Sequence, residues 1–268
     1  MDKSEDTYRG VLFRDYLEEF FSDLTSLTVL DVGCRDGAFT LPLGRECKEV
    51  IGIDVDRDFV KKTKIKASTY KNVTIEYGNI LQTKYKSNYF DLVILEGVLE
   101  WVGNSRKDIS PIECQRIALK ECRRILKPNG IIYIGIENRL CPAFWLKDPH
   151  TKTPLTVILP RFLSKPLYKL LKGKYYGMSL MSYWGYERLI NEIFPNQCRI
   201  RIPIPHYKYL YEVSTFNRRE FGNKLEKVSE IGRAVRDYKW WLRGLKMARA
   251  TYTTKLILPN FVIIARKY

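Results

Sequence analysis

Two stretches of this chain carry residue types at a spacing that suits chemistry. The first reads Val29-Leu30-Asp31-Val32-Gly33-Cys34-Arg35-Asp36-Gly37 and continues to Ile51-Gly52-Ile53-Asp54. An apolar run that stops at a glycine reads as a buried strand feeding a tight loop, and Gly33 lets the backbone turn sharply beside a ligand. Asp54 stands 21 positions after Gly33, at the end of a second apolar run. A carboxylate there can accept from both hydroxyls of a ribose. A dinucleotide site wants G-x-G-x-x-G with a pyrophosphate on the helix N-terminus. Here the spacing is Gly33-x-x-x-Gly37, Arg35 takes the middle glycine position, and Asp31 and Asp36 would repel a pyrophosphate. The loop favours a nucleoside ligand that carries positive charge.

The second stretch is Asp148-Pro149-His150-Thr151. His150 is one of only two histidines, and with Asp148 two residues away it is the base candidate. The competing reading is a histidine that caps backbone within a loop. His206, between Pro205 and Tyr207, reads as structural. Tyr183 is a further candidate, against a role in core packing. No metal is expected.

These residues need elements to hold them. Helical spacing of apolar residues predicts an opening helix over 12–24. Short apolar runs predict strands at 28–32, 49–54, 73–77, 90–95 and 131–136. Asp36 is expected to cap a helix reaching about Cys47, a basic helix spans 58–68, and a third covers 111–126. Lys127-Pro128-Asn129-Gly130 is a turn signal. Strands alternating with helices imply βαβ units, and near-continuous apolar strands imply a parallel sheet covered on both faces. The alternation breaks after Asn138. Residues 139–181 hold five prolines among many aromatic and basic residues, and read as an insertion. A helix at 183–193, a strand at 198–204, a largely helical basic stretch at about 217–250 and a strand at 256–265 complete the pattern. The expected architecture is a Rossmann-like, doubly wound, mostly parallel seven-stranded α/β sheet with a helical, basic insertion or lid after the fifth strand. It divides into a cofactor-binding half (1–138), the insertion on the acceptor side (139–181) and a C-terminal part of the same domain (182–268).

The net charge of +16 is unevenly placed. Through Asn138 there are 21 Lys and Arg against 22 Asp and Glu; from Arg139 onward there are 25 against 8. The basic half suits an anionic partner. The start is polar, without the apolar core of a signal peptide, and no apolar run approaches a membrane span. Six scattered cysteines without a C-x-x-C pair then read as reduced thiols, and the expected location is the cytoplasm.

The first loop, taken with later motifs, resembles class I S-adenosylmethionine-dependent methyltransferases. Gly78-Asn79-Ile80 stands where that family usually has Gly-Asp. Phe90-Asp91-Leu92-Val93 opens the fourth strand as the family does. Leu99-Glu100-Trp101-Val102 matches Leu-Glu-His-Val with tryptophan for histidine, and Leu126-Lys127-Pro128-Asn129-Gly130 matches Leu-Lys-Pro-Gly-Gly. The likeness covers about residues 25–138. It implies S-adenosylmethionine as cofactor, held by Asp31, Gly33, Arg35, Gly37, Asp54, Val55, Asn79, Ile80 and Glu96. Its ammonium and sulfonium suit the acidic loop. Two departures stand out. Arg35 replaces a usual glycine, and its guanidinium either reaches the cofactor carboxylate or points to solvent. Trp101 cannot act as a base and reads as packing.

A more particular resemblance follows in the second half. Ile136-Glu137-Asn138-Arg139-Leu140, Asp148-Pro149-His150-Thr151, Gly185-Tyr186-Glu187-Arg188-Leu189, Pro203-Ile204-Pro205-His206-Tyr207-Lys208 and Pro259-Asn260-Phe261 resemble methyltransferases of surface-polysaccharide and glycosyltransferase contexts. That implies a saccharide or lipid-linked glycan acceptor, whose phosphates Arg or Lys would bind. Residues 161–174 mix apolar and cationic side chains, as a peripheral membrane contact or a solvated lid helix would. Two other classes remain open. One is an RNA methyltransferase using Tyr175, Tyr176, Trp240 and Trp241 among the basic residues. The other is a non-catalytic partner that keeps the fold.

Overall fold

The computed structural model describes residues 3–104, 106–148, 150–229 and 254–268. Helix α1 (Lys3–Leu17) leads into β1 (Thr28–Val32), α2 (Thr40–Leu43), β2 (Glu49–Asp54), α3 (Arg57–Ala67), β3 (Val73–Tyr77) and β4 (Phe90–Glu96). A 3-10 turn (Leu99–Asn104), α4 (Pro111–Ile125) and β5 (Leu126–Glu137) follow. Then come α5 (Ala143–Leu146), α6 (Arg161–Lys172), α7 (Tyr183–Ile193), β6 (Arg199–His206), β7 (Tyr209–Ser214), α8 (Arg218–Ser229), α9 (Thr254–Ile257) and β8 (Asn260–Arg266).

The strands form one sheet in the order β3-β2-β1-β4-β5-β8-β6-β7. β1 to β5 pair in parallel, while β8 runs antiparallel to β5 and to β6, and β6 antiparallel to β7. The order reverses between β1 and β4. That switch point opens a crevice beyond the carboxyl ends of the strands, where ligands of such sheets bind. β1 and most of β2, β4 and β5 are fully buried, as strands covered on both faces must be.

Three expectations are corrected. The sheet has eight strands, not seven, because Tyr209–Ser214 folds back on β6 as an edge hairpin that α1 and α8 cover. The helix expected from Asp36 to Cys47 shrinks to Thr40–Leu43 with Phe39 at its N-cap, so Asp36 caps nothing there. The closing strand begins at Asn260, because Thr254–Ile257 is a turn of helix and Pro259 precedes the ladder. The Lys127–Gly130 turn signal survives as a bulge. The register with β4 jumps from Phe90↔Leu126 to Leu92↔Ile131, and Asn129 has φ 64°. Of the expected helical stretch 217–250, α8 is seen; residues 230–253 lie outside the described ones.

Asn138 ties the end of β5 to the segment before β8. Its buried Nδ2 donates to the carbonyls of Lys255, Leu256 and Leu258 at 3.1, 3.1 and 2.8 Å, and its Oδ1 accepts from Leu140 N at 3.1 Å. Beyond it, α6 turns Ser164 and Tyr168 inward, with the Tyr168 ring 4.8 Å from that of Tyr176. Its outer side exposes Phe162 (74%), Leu163 and Leu170 (83%). No helix among the described residues is long and apolar enough to cross a membrane.

Candidate active site

The loop after β1 is built from backbone. Gly33, Arg35 and Gly37 all have positive φ, at 71°, 44° and 84°. Gly33 N and Cys34 N donate to Ile53 O at 2.7 and 3.0 Å, which ties the loop to the end of β2. A Cβ on Gly33 would lie 2.5 Å from Val98 Cγ2, so only glycine lets the loop rest on the turn that follows β4. Arg35 accepts left-handed strain that a glycine would not feel. Its guanidinium is over the Phe59 ring at 5.1 Å, its N–H donates to Asp54 Oδ2 at 2.9 Å, and its carbonyl accepts from the Thr63 hydroxyl. Asp56 N donates to Asp54 Oδ1 at 2.9 Å. Two backbone donors thus aim the Asp54 carboxylate and leave each oxygen a further lone pair for a ligand.

Asp31 lies behind the loop, buried, and accepts from Thr40 Oγ1 at 2.5 Å. Burial pushes its carboxyl up to about 7, against the Thr40 hydrogen bond and with help from the charges of Glu96 and Asp54. Val55 is exposed at the end of β2, while Ile80 is part of the core. Asn79 Oδ1 accepts from Leu81 N at 3.0 Å and shapes its own turn. Glu96 ends β4 with its carboxylate 3.1 Å from the Arg9 guanidinium, which reaches across from α1.

A second polar group gathers where β4 and β5 end. Glu100 follows the sharp turn at Gly97 (φ 65°), and Glu137 is the last residue of β5. His150 Nε2 lies 3.1 Å from Glu137 Oε2 and 3.6 Å from Glu100 Oε1. Tyr207, just past β6, donates from its hydroxyl to Glu137 Oε1 at 2.7 Å. The His150 ring meets Trp101 edge-on at 4.9 Å. Burial, and then the charge of Glu137, hold the Glu100 carboxyl well above its usual range. Burial acts the same way on Glu137, but His150 and Tyr207 outweigh it and keep Glu137 ionised. Glu100, Glu137 and His150 each offer one ligand atom, and these atoms all lie within 4.8 Å of one another.

The expected pairing of His150 with Asp148 is corrected. Asp148 Oδ1 accepts from the backbone N–H of His150 and Thr151, and Oδ2 from the hydroxyls of Thr156 and Tyr176. Asp148 holds the loop that presents the imidazole, while the partners of the ring are Glu137 and Glu100. Tyr183 packs against Phe216 and Phe261, and its hydroxyl donates to Glu187 at 3.3 Å. His206 accepts from Lys208 N at 3.2 Å, and burial pushes its imidazole down to about 3. Glu100, Glu137 and Tyr207 were absent from the expected site. All three lie inside motifs quoted above, but nothing in their sequence neighbourhood links them to one another.

Known proteins agree with the first half of this geometry. A family model described as a methyltransferase domain matches residues 30–134. The ubiquinone biosynthesis O-methyltransferase of Histophilus somni (strain 2336) is 27% identical over 137 residues, or 49% of this chain and 53% of that protein. The demethylmenaquinone methyltransferase of Staphylococcus aureus (strain MRSA252) is 28% identical over 109 residues, 40% of this chain and 41% of that protein. The chain spans about half the length of these relatives or less. Among solved structures, a SAM-dependent methyltransferase from Thermotoga maritima aligns with TM-score 0.52 at 16% identity, over 98% of this chain and 91% of that one. The cyclase SpnF aligns with TM-score 0.54 at 15% identity, over 95% and 79%. These structural likenesses show the fold alone, and a fold does not fix a reaction. The sequence matches liken residues 30–134 to a methyltransferase domain, for which S-adenosylmethionine is the expected cofactor.

The loop fits that cofactor. Glycines leave the loop's backbone bare for close approach of a ligand, and Asp54 is aimed with free lone pairs for ribose hydroxyls. Replacing Asp54 by alanine leaves ribose hydroxyls unpaired, so Asp54→Ala is expected to weaken cofactor binding by roughly tenfold to a hundredfold in calorimetry. An unchanged dissociation constant would mean that the end of β2 does not meet the ribose. Asp31 gives a pH signature. Its folded value of about 7 lies above the unfolded value of about 3.9, so its contribution to stability is whole below about pH 4 and is lost as pH rises through about 7. Asp31→Asn should flatten the fall in melting temperature between about pH 4 and about pH 7. The same slope in both proteins would show that Asp31 does not titrate there.

Proposed function

We propose that this chain transfers a methyl group from S-adenosylmethionine to an oxygen of a small or carrier-linked acceptor, with an anionic saccharide or lipid-linked glycan as the favoured class. The observation that carries this reading is the buried Glu100, Glu137 and His150 group beside the cofactor loop. Val98, which the loop rests on, is two residues before Glu100, so cofactor and acceptor walls share one turn. When bound, S-adenosylmethionine supplies an electrophilic methyl group on its sulfonium sulfur. The chain's own part is to hold and orient. Asp54 fixes the cofactor's ribose. His150, presented by the Asp148 turn and steadied by Trp101, meets the acceptor, and Glu137 is kept in place by Tyr207. Oxygen as the methylated atom is supported by the relative named as an O-methyltransferase. An anionic acceptor is supported by the cationic excess from Arg139 onward.

Transfer of a labelled methyl group into fractionated cell extract tests the acceptor. Label in glycan or lipid fractions supports the reading. Label in RNA alone favours a nucleic-acid substrate, and absence of cofactor binding favours a non-catalytic partner. His150→Ala is expected to lower turnover by at least about a hundredfold with cofactor affinity kept, as loss of an orienting contact does. Full turnover in that variant would remove His150 from the site.

The outer face of α6 supports a membrane-borne acceptor. Phe162, Leu163 and Leu170 are exposed on a helix that also carries Lys165, Lys169 and Lys172, as on a helix lying on an anionic surface. Cosedimentation with phosphatidylglycerol vesicles should fall at least about fivefold in the Phe162→Asp, Leu170→Asp double variant. Equal sedimentation, or equal binding to phosphatidylcholine vesicles, would overturn this surface role.

A further inference from the structure

We propose that Glu100, Glu137 and His150 form a binding site for a divalent cation of the manganese or zinc kind. The first ground is a set of buried polar atoms without hydrogen-bond partners. Glu100 is fully buried, and neither of its carboxylate oxygens has a hydrogen-bond partner among the described residues. Glu137 Oε2 and His150 Nε2 likewise lack one, although they lie 3.1 Å apart. Buried polar groups are otherwise satisfied almost throughout folded proteins, so unsatisfied atoms from three side chains converging on one point mark a ligand.

The second ground is geometry. Metal–ligand bonds of about 2.1 Å put neighbouring ligand atoms about 3.0 to 3.4 Å apart in octahedral or tetrahedral sites. Nε2 is 3.1 Å from Oε2 of Glu137 and 3.6 Å from Oε1 of Glu100, and the three atoms lie within 4.8 Å. Only small side-chain rotations are needed to close them on one ion.

The third ground is the donor set and its support. Two carboxylates balance a divalent charge. An imidazole with two carboxylate oxygens suits manganese, iron or zinc better than calcium, which prefers oxygen alone. The supporting contacts approach from behind the ligands. Tyr207 occupies Glu137 Oε1 and leaves Oε2 to the cluster, Asp148 fixes the backbone of His150, and Trp101 sets the tilt of its ring. Three protein ligands leave coordination positions open, as catalytic metal sites do. The acceptor oxygen is the group that would take one. That role rests on the methyltransferase reading; the binding of the ion does not.

The test uses the full chain freed of metal. Manganese chloride and zinc chloride are titrated separately by calorimetry, and the manganese complex is read by electron paramagnetic resonance. S-adenosylmethionine is titrated in parallel. The expected result is one ion per chain. Glu100→Gln and His150→Ala should weaken it at least about thirtyfold, and Tyr207→Phe about tenfold, as loss of a supporting contact does. Melting curves identify any variant that fails to fold, and Tyr207→Phe keeps the test open in that case, since it removes one hydroxyl and no ligand atom. No saturable binding of either ion to the folded wild type, or undiminished binding in both ligand variants, overturns the site. Cofactor binding without ion binding overturns this inference alone. Ion binding without cofactor binding overturns the methyltransferase reading and leaves the ion site standing.

Discussion

Carboxylates buried at the carboxyl ends of parallel strands are the constraint around which this protein is built. Desolvating a carboxylate is costly unless something nearby answers the charge. Five acidic side chains lie at or near strand ends here, and their surroundings differ. Thr40 answers Asp31, two backbone N–H groups answer Asp54, and the Arg9 guanidinium answers Glu96 from another element. Tyr207 and His150 answer Glu137. Neither carboxylate oxygen of Glu100 has a hydrogen-bond partner among the described residues, and His150 Nε2 lies 3.6 Å from one of them. The carboxylates therefore form a series, from ones satisfied within the fold to one without a hydrogen-bond partner.

The series also divides the crevice. On the cofactor side, backbone conformation does most of the work, through left-handed residues at 33, 35 and 37 and the ladder of N–H groups onto Ile53. Where β4 and β5 end, side chains from distant segments converge: from the turn after β4, the end of β5, His150 and the residue after β6. Asn138 and Asp148 make that convergence stable. Each is fully buried and each satisfies several backbone groups that would otherwise be stranded beneath the insertion. Arg35 shows how the loop tolerates a side chain where glycine is usual. It adopts positive φ while its guanidinium lies over Phe59, outside the crevice wall that its backbone forms.

Local pattern carried the cofactor half. Strand ends, the Gly33 turn and Asp54 all depend on contacts within one βαβ unit, and a strand that must be apolar on both faces announces itself. The extra edge strand escaped because an edge hairpin needs only a half-buried face, and Tyr209–Ser214 shows no continuous apolar run. The short α2 escaped because a possible cap at Asp36 says nothing about whether the chain has room to continue as helix. His150 was singled out for its rarity, but its sequence neighbour Asp148 proved to serve the backbone instead.

What the sequence by itself determined is the succession of parallel strands along the chain, the acidic glycine loop, the cofactor class that such a loop admits, and the charge imbalance between the halves. These follow from composition and from contacts a few residues apart. Only the tertiary structure decided that Glu100, Glu137, His150 and Tyr207 meet. Their separations along the chain range from 13 to 107 residues, and no periodicity links them. Their meeting depends on where the sheet ends and on how the insertion folds back over it. Side-chain chemistry at such a junction is set by packing, which a linear pattern does not encode.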